Sequence, residues 1–348
     1  MKNPSLPLER WPAEDQLAWD VTIKPGGFLE DGGPAAHWRP ATRCTNIHHY
    51  GRWLAFLAKS GRLTEKGLAE RCDRSAVLLY IEQLRTTVAS TTLASSIVGL
   101  AYMLKAMAPA SDWQWLVHTA NVLAANQVPL RRKASRILPS DYIYAKALQE
   151  LKRIVSLATR SKSDIAGYRN VLAIALVAAQ PLRRKNVSAL RLGVTILRRG
   201  DVWAIDIPGN DTKNGRPISA DLPRSLTPFL DVYVRDIRPV LSRGSTGDAL
   251  WISWYGGEMS AHAFYLRFVE ATERLFGRPF NPHLLRDCAA TSLAEMSPDY
   301  ALIAQDLLGH ATFAMTEENY IHANQLAASR NVNAALKARI AEKHHRLR

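Results

Sequence analysis

Four short segments in the second half of this chain gather side chains suited to chemistry on a phosphate ester. Pro181-Leu-Arg-Arg-Lys-Asn-Val-Ser-Ala-Leu190 lies where an apolar helix, VLAIALVAAQ, meets the next one. Thr212-Lys213-Asn214-Gly215 is a turn, and His283-Leu-Leu-Arg286 puts His and Arg three residues apart on one helical face. Leu307-Leu308-Gly309-His310 is followed by Thr316 and Tyr320. Breaking a phosphodiester requires cationic donors around the non-bridging oxygens, an activated nucleophile and an acid for the leaving oxygen. Metal ions often meet the first need, but they require clustered carboxylates, and no HExxH, DxD or P-loop pattern occurs. The expectation is charge stabilisation by Arg, Lys and His, with no metal and no cofactor.

Composition agrees with a polyanionic partner. The 348 residues correspond to roughly two domains, and 47% apolar with 22% charged residues is ordinary for a chain with a full core. Forty-five Lys+Arg against 31 Asp+Glu leave a net charge of +14, which points to nucleic acid or an anionic membrane surface. The longest charge-free stretch, Thr86–Leu104, is 19 residues but carries four Thr and three Ser. A spanning helix needs about 20 mainly apolar residues, so no membrane partner is expected. The opening MKNPSLPLERWPAED has acids and prolines where a signal peptide places its apolar run. Cys44, Cys72 and Cys288 are isolated and fit neither a disulfide framework nor a zinc site. A cytoplasmic, nucleoid-associated protein is expected.

The elements that must position the four segments follow from periodicity. Residues 1–40 hold four basic and six acidic side chains and are punctuated by Pro25-Gly26-Gly27 and Gly32-Gly33-Pro34. They read as an irregular extension, packed on its neighbour through Trp11, Trp19 and Trp38. Residues 41–128 read as a small helical domain of four helices, with stripes such as Val77, Ile81, Leu84, Val88 and Leu93, Ile97, Leu100, Leu104. Residues 129–139 form a basic linker whose Arg131, Arg132, Lys133 and Arg136 are candidates for the DNA backbone. Helices are expected over 140–159, 163–179 and 184–191. Strands follow at 194–198, 202–207 and 217–222, the last two joined by GNDTKNG. Helical patterns return at 223–241, 260–276, 283–296, 300–308 and 317–340.

The order PLRRKNVSAL, TKNG, HLLR, LLGH and Tyr320 resembles the tyrosine recombinases, or phage-type integrases, over about 140–325. The helical segment 41–128 is similar, more loosely, to that family's core-binding, SAM-like domain. The resemblance implies a mainly α protein with a small antiparallel sheet: a helical core-binding domain and an α+β catalytic domain, 140–329, of the DNA breaking-rejoining fold. It implies that Arg183, Arg286 and His310 hold the scissile phosphate and that Tyr320 attacks it. Lys213 would protonate the leaving 5′-oxygen and His283 would accept the phenolic proton. A covalent 3′-phosphotyrosyl link would form and be reversed by another strand, without ATP or metal. Implied partners are double-stranded DNA and further copies, four in a synapse, or sister recombinases; implied roles are integration, excision or transposition of a mobile element.

The chain departs from that pattern at three places: Asn186 where an acid is usual, Asp287 where a histidine is common, and a His310–Tyr320 interval one residue longer than usual. A catalytically weak DNA-binding accessory protein and a type IB topoisomerase-like enzyme therefore stay open as alternatives. Tyr233, Tyr255, Tyr265 and Tyr300 read as core or rim, His322, His48 and His49 as surface, and the Trp113/Trp115 pair as domain packing. Residues 330–348 form a tail helix pattern, expected to dock on a neighbouring copy. Deleting 330–348 should impair assembly of copies on DNA, measured by native gel shift, more than binding of one copy; equal loss of both would exclude docking in trans.

Overall fold

The computed structural model describes residues 5–64, 66–128, 136–244 and 246–296. Two compact units divide the chain, Met1–Arg132 and Lys133–Arg348. Among the described residues the architecture is helical, with one three-stranded antiparallel sheet.

The first unit contains α1 (Ala13–Ile23), α2 (Pro40–Lys59), α3 (Leu68–Arg71), α4 (Arg74–Thr87), α5 (Ser90–Met107) and α6 (Gln114–Ala125). Helix α5 is the centre, packed against α1, α2, α4 and α6, and most of its apolar side chains are buried. Pro40 starts α2 at its first position, where no backbone donor is lost. Asp73 caps α4 by accepting from the Ala76 amide at 2.7 Å. His49 lies against Gly99 of α5, where a Cβ would come within 2.5 Å of its ring. It is half-buried rather than on the surface, whereas His48 is exposed. Trp113 belongs to the core and Trp115 carries the Arg74 guanidinium 5.5 Å above its ring.

Within the extension expected to be irregular, residues 24–39 carry no helix or strand, but Ala13–Ile23 is a helix. A 3-10 turn (Leu8–Arg10) and α1 pack Trp11 and Trp19 into the core, Trp11 meeting the Tyr50 ring at 4.9 Å. A buried polar network holds α1: the Asp15 carboxylate accepts from Arg71 of α3 and from the Tyr50 hydroxyl of α2, the latter at 3.0 Å. Burial raises the Asp15 carboxyl above the ordinary carboxylate range, while Arg71 and Tyr50 pull it back down. Removing one member of such a pair strands a buried charge. Arg71→Ala should therefore lower the stability of this unit by ~3–5 kcal/mol, read from its urea transition in the full chain. Adding Asp15→Asn should recover part of that loss, and a cost within the ~1 kcal/mol of an exposed pair would show that the network does not hold α1.

The second unit is built on α8 (Lys162–Ala179), whose Val171–Val177 run is buried on every face. A capping box of Ser161 and Asp164 starts it. Around it pack α7 (Ser140–Val155), α12 (Ala261–Phe276) and α13 (Pro282–Met296). The short α9 (Arg184–Ser188) follows α8 and leads to the sheet β1 (Ile196–Arg199), β2 (Val202–Ile207) and β3 (Ile218–Asp221), in that order. The register pairs Ile196 with Ile205 and Ile207 with Ile218. The segment expected as one helix over 223–241 is α10 (Thr227–Val232), a π-turn (Tyr233–Ile237) and α11 (Arg238–Ser242). Pro239 has no N–H for the carbonyl four residues earlier, which accounts for the break. The expected helices at 300–308 and 317–340, and the tail 330–348, lie outside the described residues.

Candidate active site

Arg183 occupies the corner between α8 and α9. Gln180 leaves the helix in extended conformation, and Arg183 is the residue before α9, also extended (φ −67°, ψ 149°). Burial of Leu182 and Val187 on either side fixes the corner to the core. The indole N–H of Trp251 donates to the Val187 carbonyl at 2.6 Å and pins α9 from the other side. The Arg183 guanidinium is half-buried, which lowers its proton affinity.

Arg286 comes from α13, more than a hundred residues later, and meets the same corner. Its guanidinium donates to the carbonyl of Pro181, two residues before Arg183. Leu284, Leu285 and Cys288 anchor this turn of α13 in the core, and Arg286 is itself buried. Burial first, and the neighbouring charge of Arg183 second, push Arg286 down to about 10, against a smaller upward pull from Asp287. Arginines from two distant segments thus converge on one corner, Arg286 close enough to feel the Arg183 charge, a setting suited to an anion. His283 lies one turn earlier on α13 and is exposed.

Lys213 is exposed on the loop between β2 and β3. That loop is more ordered than a flexible tip. Gly209–Asp211 forms a 3-10 turn, buried Thr212 closes it by donating to the Gly209 carbonyl at 2.9 Å, and Gly215 takes a positive φ of 75°. Asn186 of α9, also buried, donates to the Asp211 carbonyl at 3.2 Å, so the Arg183 corner and the Lys213 loop are joined. The sequence marked Asn186 only as a departure; its partner is a backbone carbonyl, which no residue pattern reveals.

His310, Tyr320, Arg131, Arg132 and Lys133 lie outside the described residues. Arg136 is described: its guanidinium donates to the Pro279 carbonyl at 3.0 Å, tying the start of the unit to the turn before α13. Of the other tyrosines, Tyr233 is buried, Tyr255 is exposed and Tyr265 lies under the Arg184 guanidinium at 5.5 Å. Among the described residues no group of three or more His, Cys, Asp or Glu is placed to hold a metal, and no helix is long and apolar enough to cross a membrane.

The phage integrase family matches residues 147–326, which contain both arginines and the loop. The chain belongs to this family. Tyrosine recombinase XerC of Escherichia coli O6:K15:H31 (strain 536) is 28% identical over 260 residues, covering 73% of this chain and 78% of that protein. XerC of Shigella flexneri aligns with the same identity and coverage. The fold is shared with the XerH site-specific recombinase bound to its difH substrate, at a TM-score of 0.57 and 15% identity over 94% of this chain and 99% of that one. A lambda integrase dimer bound to a core site gives 0.53 and 16%, over 91% and 78%. The mainly helical fold with a small antiparallel sheet is thus that of the integrases, and the chain is a tyrosine-type site-specific DNA recombinase.

Within this integrase fold the loop geometry is sterically tight. A Cβ on Gly209 would lie 2.2 Å from the Gly215 carbonyl oxygen, so Gly209→Ala must open the Lys213 loop. Strand cleavage should slow by roughly ten- to a hundredfold, measured as single-turnover rate, with DNA affinity and melting temperature little changed. An unaltered rate would show that the loop conformation is not needed.

Proposed function

We propose that this recombinase cuts and rejoins duplex DNA through a covalent 3′-phosphotyrosyl intermediate on Tyr320. The phenol oxygen attacks the phosphorus, a P–O bond to tyrosine forms, and the bond to the 5′-oxygen breaks. The phenolic proton passes to His283, since a free tyrosine pKa near 10 needs a base or a strongly positive setting. Lys213 gives a proton to the leaving 5′-oxygen. Arg183, Arg286 and His310 hold the non-bridging oxygens as charge grows on them, a contribution whose loss typically costs about a hundredfold or more per donor. A 5′-hydroxyl from a second strand then reverses the step, so bond energy is kept without ATP.

The observation that carries this reading is the Arg183–Arg286 pair. Two like charges brought together at a partly desolvated corner raise the energy of the fold, and a phosphodiester anion between them recovers it. Phosphate contacts would also account for the basic run Arg131, Arg132, Lys133 and Arg136 in the sequence, with affinity falling steeply with salt. Four copies, or copies with sister recombinases, would exchange strands between two duplexes. The role we propose is integrating, excising or transposing a mobile element, in the cytoplasm at the nucleoid.

The test is covalent capture from a library of nicked duplexes with randomised cores. Wild-type chain should form denaturation-resistant adducts that vanish with Tyr320→Phe and fall at least about a hundredfold with Arg183→Ala or Arg286→Ala. Binding without any adduct would overturn the reading in favour of a DNA-binding accessory protein. Adducts on every duplex, with relaxation of plasmid lacking a selected site, would overturn it in favour of a topoisomerase-like enzyme.

A further inference from the structure

We propose that Asn186 is the positioning residue for Lys213: its amide fixes the proton-donating loop relative to the phosphate-binding arginine. The inference rests on Lys213 acting as the acid for the leaving oxygen, as proposed above. Asn186 lies one turn after Arg183 on α9 and is buried, although its surroundings in sequence, Arg184 and Lys185, are exposed. Its Nδ2 donates to the carbonyl of Asp211, two residues before Lys213. That carbonyl lies at the end of the 3-10 turn, which Thr212 closes by donating from its N–H and Oγ1 to Gly209 O, at 3.0 and 2.9 Å. Those bonds set the loop's shape. The Asn186 bond relates this shape to the Arg183 corner, and α9 is itself held by Trp251 at Val187.

The chemistry at position 186 requires a donor. A carboxylate there would turn an acceptor toward the Asp211 carbonyl and repel it, where the amide N–H attracts it. In this chain the loop therefore depends on an amide, and the departure at position 186 is part of how its acid is aimed. A leaving alkoxide needs its proton delivered at hydrogen-bond distance, so a loop displaced by about 1 Å should cost on the order of a hundredfold in cleavage.

The experiment compares Asn186→Asp, Asn186→Ala and Lys213→Ala with wild type on one duplex from the covalent selection, made with either oxygen or sulfur at the 5′-bridging position of the cleaved linkage. Sulfur leaves as a thiolate and needs no acid. Asn186→Asp and Asn186→Ala should cleave the oxygen substrate roughly ten- to a hundredfold slower and the sulfur substrate at the wild-type rate, as should Lys213→Ala, with DNA affinity unchanged. If Lys213→Ala is restored by sulfur while the folded Asn186 variants are not, Asn186 acts elsewhere and the inference fails. If sulfur does not restore Lys213→Ala, the assignment of the acid itself falls, separately from position 186. Should Asn186→Asp melt early, Asn186→Ala, which introduces no charge, carries the same comparison.

Discussion

The second unit of this molecule contains one costly arrangement, a buried Arg286 brought to the corner of the half-buried Arg183. Bringing a cation out of water is unfavourable, and a second cation beside it adds to the cost. The fold offsets part of this locally, because Arg286 donates to the Pro181 carbonyl. The remainder is opposed by packing. Helix α8, apolar on every face, holds α7, α12 and α13 about itself, and the corner at its C-terminal end inherits that rigidity. Leu284, Leu285 and Cys288 keep α13 from rotating Arg286 out to solvent. An electrostatic site of this kind works because its donors need not reorganise when charge develops between them.

Net charge alone does not locate such a site. Several arginines of the second unit are engaged with surface acids: Arg198 with Asp231, Arg199 with Asp221, and Arg191 with Asp248 and Glu258. Each pair is worth little to stability, being exposed, yet it occupies guanidinium groups at the outer edge of the sheet. Such pairs cancel within the net charge, so the excess of +14 does not say which cations face DNA. What distinguishes Arg183 and Arg286 is convergence on one corner, the first half-buried and the second buried, a property that only the tertiary structure creates.

Where apolar positions follow one period, sequence and structure agree. The stripes of α4 and α5 and the short apolar run of β2 lead directly to the observed elements. Helix α1 was illegible for a definite reason. Its buried residues are Asp15, Trp19 and Thr22, while Leu17 and Val21 are exposed, so the face that packs is partly polar. The turn at 233–237 was hidden because Pro239 perturbs bonds one turn before itself. In the site, Arg183, His283 and Arg286 were legible as residue types at family spacing. The role of Asn186 was not, because a bond to a backbone carbonyl 25 positions away leaves no complementary residue to read.

The two kinds of functional group in this unit have different mechanical needs, and the fold treats them differently. Arginines that hold an anion must be fixed before the reaction, since any freedom they retain is lost on binding. They are set on helices tied into the core. A lysine that delivers a proton must approach a leaving oxygen whose position depends on the bound strand, so it is set on a loop and exposed. Freedom there is useful only within limits. The close approach of Gly209 to Gly215, the Thr212 closure and the Asn186 bond confine the loop's shape and its direction in turn. Under the proposed mechanism one helix thus supplies aim for two tasks: α9 begins at Arg183, and one turn later Asn186 holds the loop that carries Lys213.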